Sequence, residues 1–121
     1  MRCGIDAVEI ERCVGLLANP RWLERIFTPT ERAYILASPT HSLERIAGRF
    51  AAKEAIFKAL SPAITVPFFT FCQSCQVVPG SHGPIVELSG LLRHLSTQKI
   101  ALSITHTHES AFACAIVPTI D

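Results

Sequence analysis

The chain has 121 residues, 49% of them hydrophobic, and a formal net charge of +1, which fits one ordinary domain with a buried core. The near-neutral balance argues against bulk attraction to nucleic acid or to an anionic membrane, leaving a local basic patch as the electrostatic route to either. No apolar run approaches the ~20 residues that span a bilayer, and Asp6, Glu9 and Glu11 interrupt any signal-peptide core. Residues 1–121 therefore read as a single soluble, cytoplasmic domain with no nucleic-acid and no membrane partner.

In chain order, CGIDAVEI from Cys3 reads as a short strand, with β-branched residues beside Gly4. Residues 11–19 pattern as a helix. Asn19-Pro20 supplies a cap and a first-turn proline for another short helix through Phe27. In TPTE, Thr28 is the N-cap, Pro29 the first helical residue, and Glu31 closes a capping box. That helix is expected to stop near Ser38-Pro39. Ser42 is the expected cap of a longer helix running to about Leu60, where Ser61-Pro62 ends it. From residue 64, TVPFFTFCQSCQVV and GPIVEL have the β-branched and aromatic character of strands, split by the turn PGSHGP. SGLLRHLSTQ, residues 89–98, reads as a short helix. KIALSITH alternates as a strand with Ile100, Leu102, Ile104 and His106 on one face. A short connection leads to AFACAIV, a strand so small and apolar that both its faces are expected to be covered, one by its own helix and one by another subunit. Helices followed by antiparallel strands make an α+β domain, an antiparallel sheet packed on the long helix.

The segment GRFAAKEAIFKAL carries the main puzzle. At roughly 100° per residue, Ala51, Ala52, Ala55, Ile56, Ala59 and Leu60 form a wide apolar face, yet Phe50 and Phe57 project on the other side, between Lys53 and Glu54. A helix apolar nearly all round is usually buried, and buried charges need partners or a ligand. Glu54 and Lys58 are spaced i, i+4 and can simply pair, for ~0.2–0.5 kcal/mol on an exposed surface. Arg49 and Lys53 are also four apart but like-charged, which a fold alone would not choose. An anionic ligand with a divalent metal settles both surpluses, the cations taking phosphates and Glu54 a hard cation. Asp6 either caps a turn as a polar core residue or supplies a second carboxylate, and one or two carboxylates with substrate phosphates hold magnesium. His106 at a strand end is read either as a surface residue or as a functional one.

The five cysteines are odd in number and follow no secretory signal, which speaks against a disulfide framework. Cys72 and Cys75 form a lone CxxC, read as small apolar side chains or, with His82 or His94, as a zinc or redox centre.

Together these pieces resemble the holo-acyl-carrier-protein synthases, the small trimeric bacterial class of 4'-phosphopantetheinyl transferases. GIDAVEIER, residues 4–12, is similar to the family's Gly-x-Asp-x-x-x-Ile opening, and FTPTE, residues 27–31, to its Phe-Thr-x-x-Glu element. AGRFAAKEAIFKAL, residues 47–60, matches its Arg-Phe-x-x-Lys-Glu-Ala-x-x-Lys helix, and SITHTHESAFACAIV its closing strand pair. The resemblance implies a transfer of 4'-phosphopantetheine from coenzyme A to a serine of apo-acyl carrier protein, leaving adenosine 3',5'-bisphosphate, in support of fatty acid biosynthesis. It implies Asp6 and Glu54 as magnesium ligands and Lys58 as a phosphate-binding residue that assists the leaving group. Arg49, Lys53 and His106 are implied to contact coenzyme A, and Glu54 or a water oriented by Asp6 to take the serine proton. Arg12, Arg21 and Arg25, ordinary solvated positions when read alone, become candidates for an acidic carrier protein. A homotrimer with its site between subunits is implied as well.

The chain departs from that pattern after Lys58. Relatives run Lys-Ala-(Leu/Phe)-Gly-x-Gly, whereas Ser61, Pro62 and Ala63 stand here. Proline has no amide hydrogen and cannot take a glycine's positive φ, so this loop is expected to follow another path. Segment 37–45 is also less basic, offering Arg45 and His41. The rival reading is a non-catalytic module that binds coenzyme A or a carrier protein.

Overall fold

The computed structural model describes residues 1–118. Five strands and five helices follow in the order β1 (Arg2–Glu9), α1 (Cys13–Leu17), α2 (Pro20–Ile26), α3 (Pro29–Leu36), α4 (Ser42–Leu60), α5 (Phe68–Ser74), β2 (Cys75–Val78), β3 (Ile85–Leu88), β4 (Ala101–His106) and β5 (Ser110–Val117). β1, β5 and β4 make an antiparallel sheet in that spatial order, and β2 pairs with β3 as a separate hairpin. The α+β class expected from the sequence is the one observed.

α4 lies on the inward face of the larger sheet, chiefly over β1 and β5. The approach is close because both surfaces are small. Ala111, Ala113 and Ala115 point inward from β5, and Ala51, Ala52, Ala55 and Ala59 face them from α4, all buried. Gly4 is obligatory here: a Cβ at that position would lie 1.8 Å from the Ala55 carbonyl oxygen. The register then fixes what stands on each side of α4. Asp6 on β1 and Ile104 on β4 both pair with Ala113, so they flank it in one inward row.

The outward face of the same sheet is exposed. Ile5 is 65% exposed, Ile116 39% and Phe112 37%. β5 is thus covered on one face within the chain, and its second face is bare and apolar.

The short helices follow their caps. Asn19 accepts from the amides of Arg21 and Trp22, and Thr28 with Glu31 forms the complete capping box with Pro29 in the first turn. Three expectations are corrected. Ser42 is the first residue of α4 and not its cap; its Oγ donates to the Ile35 and Ser38 carbonyls, and His41 occupies the cap position without a side-chain bond. Residues 68–74 are helix, not strand. As a helix they put Phe68, Phe71 and Cys72 on one side, with Phe71 fully buried and stacked edge-on to Phe57 at 5.1 Å. Burying one such side chain is worth ~1.5–3 kcal/mol, more than the ~1 kcal/mol that separates residues on a β-propensity scale. The short helix expected over 89–98 is confined to Gly90–Leu95 and is of the 3-10 type.

Beyond α4 the chain continues as a right-handed 3-10 turn over Ser61–Ala63, with no positive φ. The Ser61 Oγ donates to the Lys58 carbonyl at 3.3 Å.

Candidate active site

Two pockets flank α4, one along each edge of the sheet. The first, about 380 Å³, is lined by Asp6, Arg12, Cys13, Leu16, Phe50 and Glu54 among others. Asp6 reaches it as an inward-facing strand residue, and Glu54 as the half-buried flank of α4. One turn further on, Lys58 reaches back to the strand. Its Nζ donates to Asp6 Oδ1 at 3.1 Å and to the Ile5 carbonyl at 3.0 Å. Lys58 thus pairs with Asp6, whereas sequence spacing had suggested Glu54. Burial holds the Glu54 carboxyl above its ordinary range, the Asp6 charge pushes it further the same way, and Lys58 opposes both. The pocket is therefore lined by three carboxylates, Asp6, Glu9 and Glu54, with Lys58 bonded to the first from beside the pocket and Arg12 3.9 Å from the second.

The second pocket, about 480 Å³, opens on the other side. Tyr34, His41, Arg45, Arg49, Ile104 and His106 line it, with a glycine-containing turn at Gly80 and Gly83. Arg49 is 9% exposed, and its Nε has no hydrogen-bond partner among the described residues. Its guanidinium carbon lies 4.3 Å from the Tyr34 ring centroid, and that of Arg45 4.1 Å from the same ring. Burial presses the Arg49 pKa downward, and the neighbouring Arg45 charge adds to the effect. The side chain stays charged, since a guanidinium does not give up its proton in proteins. His106 is exposed, with Nε2 3.9 Å from Glu44 Oε2.

Within one chain these pockets do not merge. Arg49 and Glu54 are five positions apart on α4, which is about 140° around the helix and about 7.5 Å along it. Arg49 and His106 are brought together; Asp6, Glu54 and Lys58 are brought together; the two groups face different ways.

Lys53 belongs to neither. The expectation that it contacts coenzyme A is corrected by its burial: the side chain is 0% exposed, 2.6 Å from Glu31 Oε1, and donates to the Ile26 and Cys72 carbonyls at 2.8 and 2.7 Å. All three ammonium donors are used. The three candidate arginines also separate. Arg12 borders the carboxylate pocket and stands 3.9 Å from Glu9. Arg21 and Arg25 line a different hollow with Trp22, and Arg25 stacks over Phe69 at 4.1 Å. Cys72 and Cys75 are fully buried, and burial pushes both thiols up to about 12. Among the described residues, no three or more His, Cys, Asp or Glu side chains gather into a metal centre, and no single helix is long and apolar enough to cross a membrane.

The family model of the 4'-phosphopantetheinyl transferase superfamily matches residues 2–117. The chain belongs to that superfamily. Among its relatives, the holo-[acyl-carrier-protein] synthase of Caldicellulosiruptor saccharolyticus is 38% identical over 118 residues, covering 93% of this chain and 92% of that protein. The synthase of Chlamydia pneumoniae is 40% identical over 116 residues, with 93% of each chain covered. The Chronobacterium ammoniagenes ACPS–CoA complex superposes with a TM-score of 0.82 at 29% identity, covering 99% of this chain and 98% of that one.

Sequence reasoning missed Tyr34 and the true partner of Lys53. Arg49 and His106, and Arg45 with His41 in segment 37–45, were the signals for the second pocket; Tyr34 stands on another helix and gives none.

Proposed function

We propose that the protein transfers 4'-phosphopantetheine from coenzyme A to a serine hydroxyl of apo-acyl carrier protein, releasing adenosine 3',5'-bisphosphate. The observation that carries this reading is the placing of Asp6 and Glu54 in one pocket, with Lys58 bonded to Asp6 beside it, in a chain whose relatives are holo-[acyl-carrier-protein] synthases.

Asp6 and Glu54 form a two-oxygen donor set whose mutual repulsion a divalent cation would relieve, and this fits magnesium, which takes carboxylates together with substrate phosphates and waters. When bound, magnesium neutralises charge on the pyrophosphate. The serine oxygen forms the new bond to the β-phosphorus, and the bond to the bridging oxygen breaks. Lys58, half exposed at the pocket mouth, is placed to offset the charge that develops on the departing oxygen. Glu54, or a water oriented by Asp6, takes the serine proton.

Arg49 and His106 take phosphate groups of the coenzyme in the second pocket. Because the two pockets face apart in one chain, the complete site is built between subunits of a homotrimer, in which the bare face bearing Ile5, Phe112 and Ile116 is covered. Arg12, beside the carboxylate pocket, is the first contact for an acidic carrier protein, with Arg21, Arg25 and Trp22 offering a second contact in their separate hollow. The holo-carrier formed supports fatty acid biosynthesis in the cytoplasm.

Adenosine 3',5'-bisphosphate release tests the reading. It is expected when coenzyme A, magnesium and an apo-carrier are all present, and not when the carrier's acceptor serine is replaced by alanine. Release that ignores the acceptor serine would contradict it.

A further inference from the structure

Arg45 and Arg49 are successive turns of one face of α4, and their guanidinium carbons lie 4.1 and 4.3 Å from the centroid of a single ring, Tyr34 on α3. Two cations on one small platform repel each other unless an anion joins them. Arg45 is further tied down by donating to the Tyr34 carbonyl. The Arg49 Nε is buried and has no hydrogen-bond acceptor among the described residues, while the side chain lines a pocket open to solvent. Among the described residues Glu44 is the only carboxylate lining that pocket, and it stands 3.9 Å from His106 without an ion pair to either arginine.

We propose that Tyr34 is a positioning residue that holds Arg45 and Arg49 as a paired clamp selective for a phosphate monoester dianion. The inference rests on the transferase reading above and adds to it the residue that sets which phosphate is held. In coenzyme A, the 3'-phosphate is a monoester and carries close to two negative charges at neutral pH, whereas each phosphate of the pyrophosphate is substituted on both sides and carries one. A clamp of two preorganised cations matches the first. The ring contributes by fixing guanidinium planes that a flexible side chain would otherwise spread over many rotamers.

The test compares binding of adenosine 3',5'-bisphosphate and of a monophosphate with no monoester group, the methyl ester of adenosine 5'-phosphate, by titration calorimetry, together with KM and kcat for coenzyme A and for 3'-dephospho-coenzyme A. Tyr34→Leu and Tyr34→Gln remove the ring; Tyr34→Phe keeps it. Each non-aromatic variant is expected to weaken bisphosphate binding about tenfold, the scale of a partly desolvated cation–π contact, and to raise KM for coenzyme A more than it alters kcat. Monophosphate binding and KM for the dephospho-coenzyme are expected to move far less, and Tyr34→Phe to restore the discrimination. Equal weakening of both nucleotides, or no weakening by either non-aromatic variant, overturns the proposal. The binding arm needs no transfer. A wild-type protein that discriminates the nucleotides but modifies no carrier would sink the transferase reading alone, and one that modifies carriers without discriminating would sink this inference alone.

Discussion

Lys53 and Glu31 meet at 2.6 Å with neither side chain exposed, so α4 is fastened by an ion pair that water does not reach. Glu31 also accepts from the amides of Thr28 and Val77, and Lys53 from its side binds the ends of α2 and α5 through the Ile26 and Cys72 carbonyls. The pair links four helices and a strand around the residue that precedes Glu54 in sequence.

Removing one partner strands a buried charge. Lys53→Met is expected to cost about 3–5 kcal/mol, read as a lowered urea midpoint. In protein that remains folded, KM for coenzyme A should change little. A normal midpoint with a much raised KM would instead return Lys53 to the ligand.

Glu54 is expected to trade stability for function. Its folded pKa lies above the ordinary glutamate value, so the folded state binds the proton more tightly than the unfolded chain. Stability from this group is therefore present at low pH and is lost as pH rises from the unfolded value through the folded one. At neutral pH with metal chelated, Glu54→Gln should melt above wild type while losing transfer. Added magnesium should raise the wild-type Tm and leave that of Glu54→Gln nearly unmoved. A lower Tm for Glu54→Gln under chelation would mean that the carboxylate is a structural anchor.

Lys58 spans the same carboxylate site from outside, 3.1 Å from Asp6. Lys58→Ala should lower kcat by about 10²-fold, the usual scale for removing one charged donor aimed at developing charge. Its side chain is half exposed, so the midpoint of unfolding should shift little. A fall confined to KM would restrict Lys58 to ground-state phosphate binding.

The separation of the two pockets makes a prediction about assemblies. Asp6→Ala and Arg49→Ala should each be nearly inactive alone, yet co-expressed mixtures should recover activity, since some sites then combine an intact Asp6 from one subunit with an intact Arg49 from another. Mixtures no more active than the sum of their parts would place both residues in one subunit's site.

Much of this was legible from local rules. The Asn19 cap, the Thr28–Glu31 box and the alternation of Leu102 and Ile104 each depend on residues close in sequence, and each stands as read. The misreadings share a cause. Phe68 to Ser74 have strand-like composition, but Phe57 and Phe50 on α4 offer their rings to a helix, and tertiary burial overrides propensity. Lys53 looked like a ligand because its partner, Glu31, had already been accounted for as a cap. The carboxylate does both jobs with different lone pairs, and nothing in the spacing of the two residues tells that they meet. Tyr34 was silent for the same reason.

The measurement that bears most directly on the whole account is the intact mass of an apo-acyl carrier protein after incubation with this protein, coenzyme A and magnesium. A gain of one 4'-phosphopantetheine group is expected, abolished by chelation and by Asp6→Ala or Glu54→Ala. An unmodified carrier, across several apo-carriers and with coenzyme A shown to bind, would contradict it and leave a binding protein whose Ser61–Ala63 turn has replaced a catalytic loop.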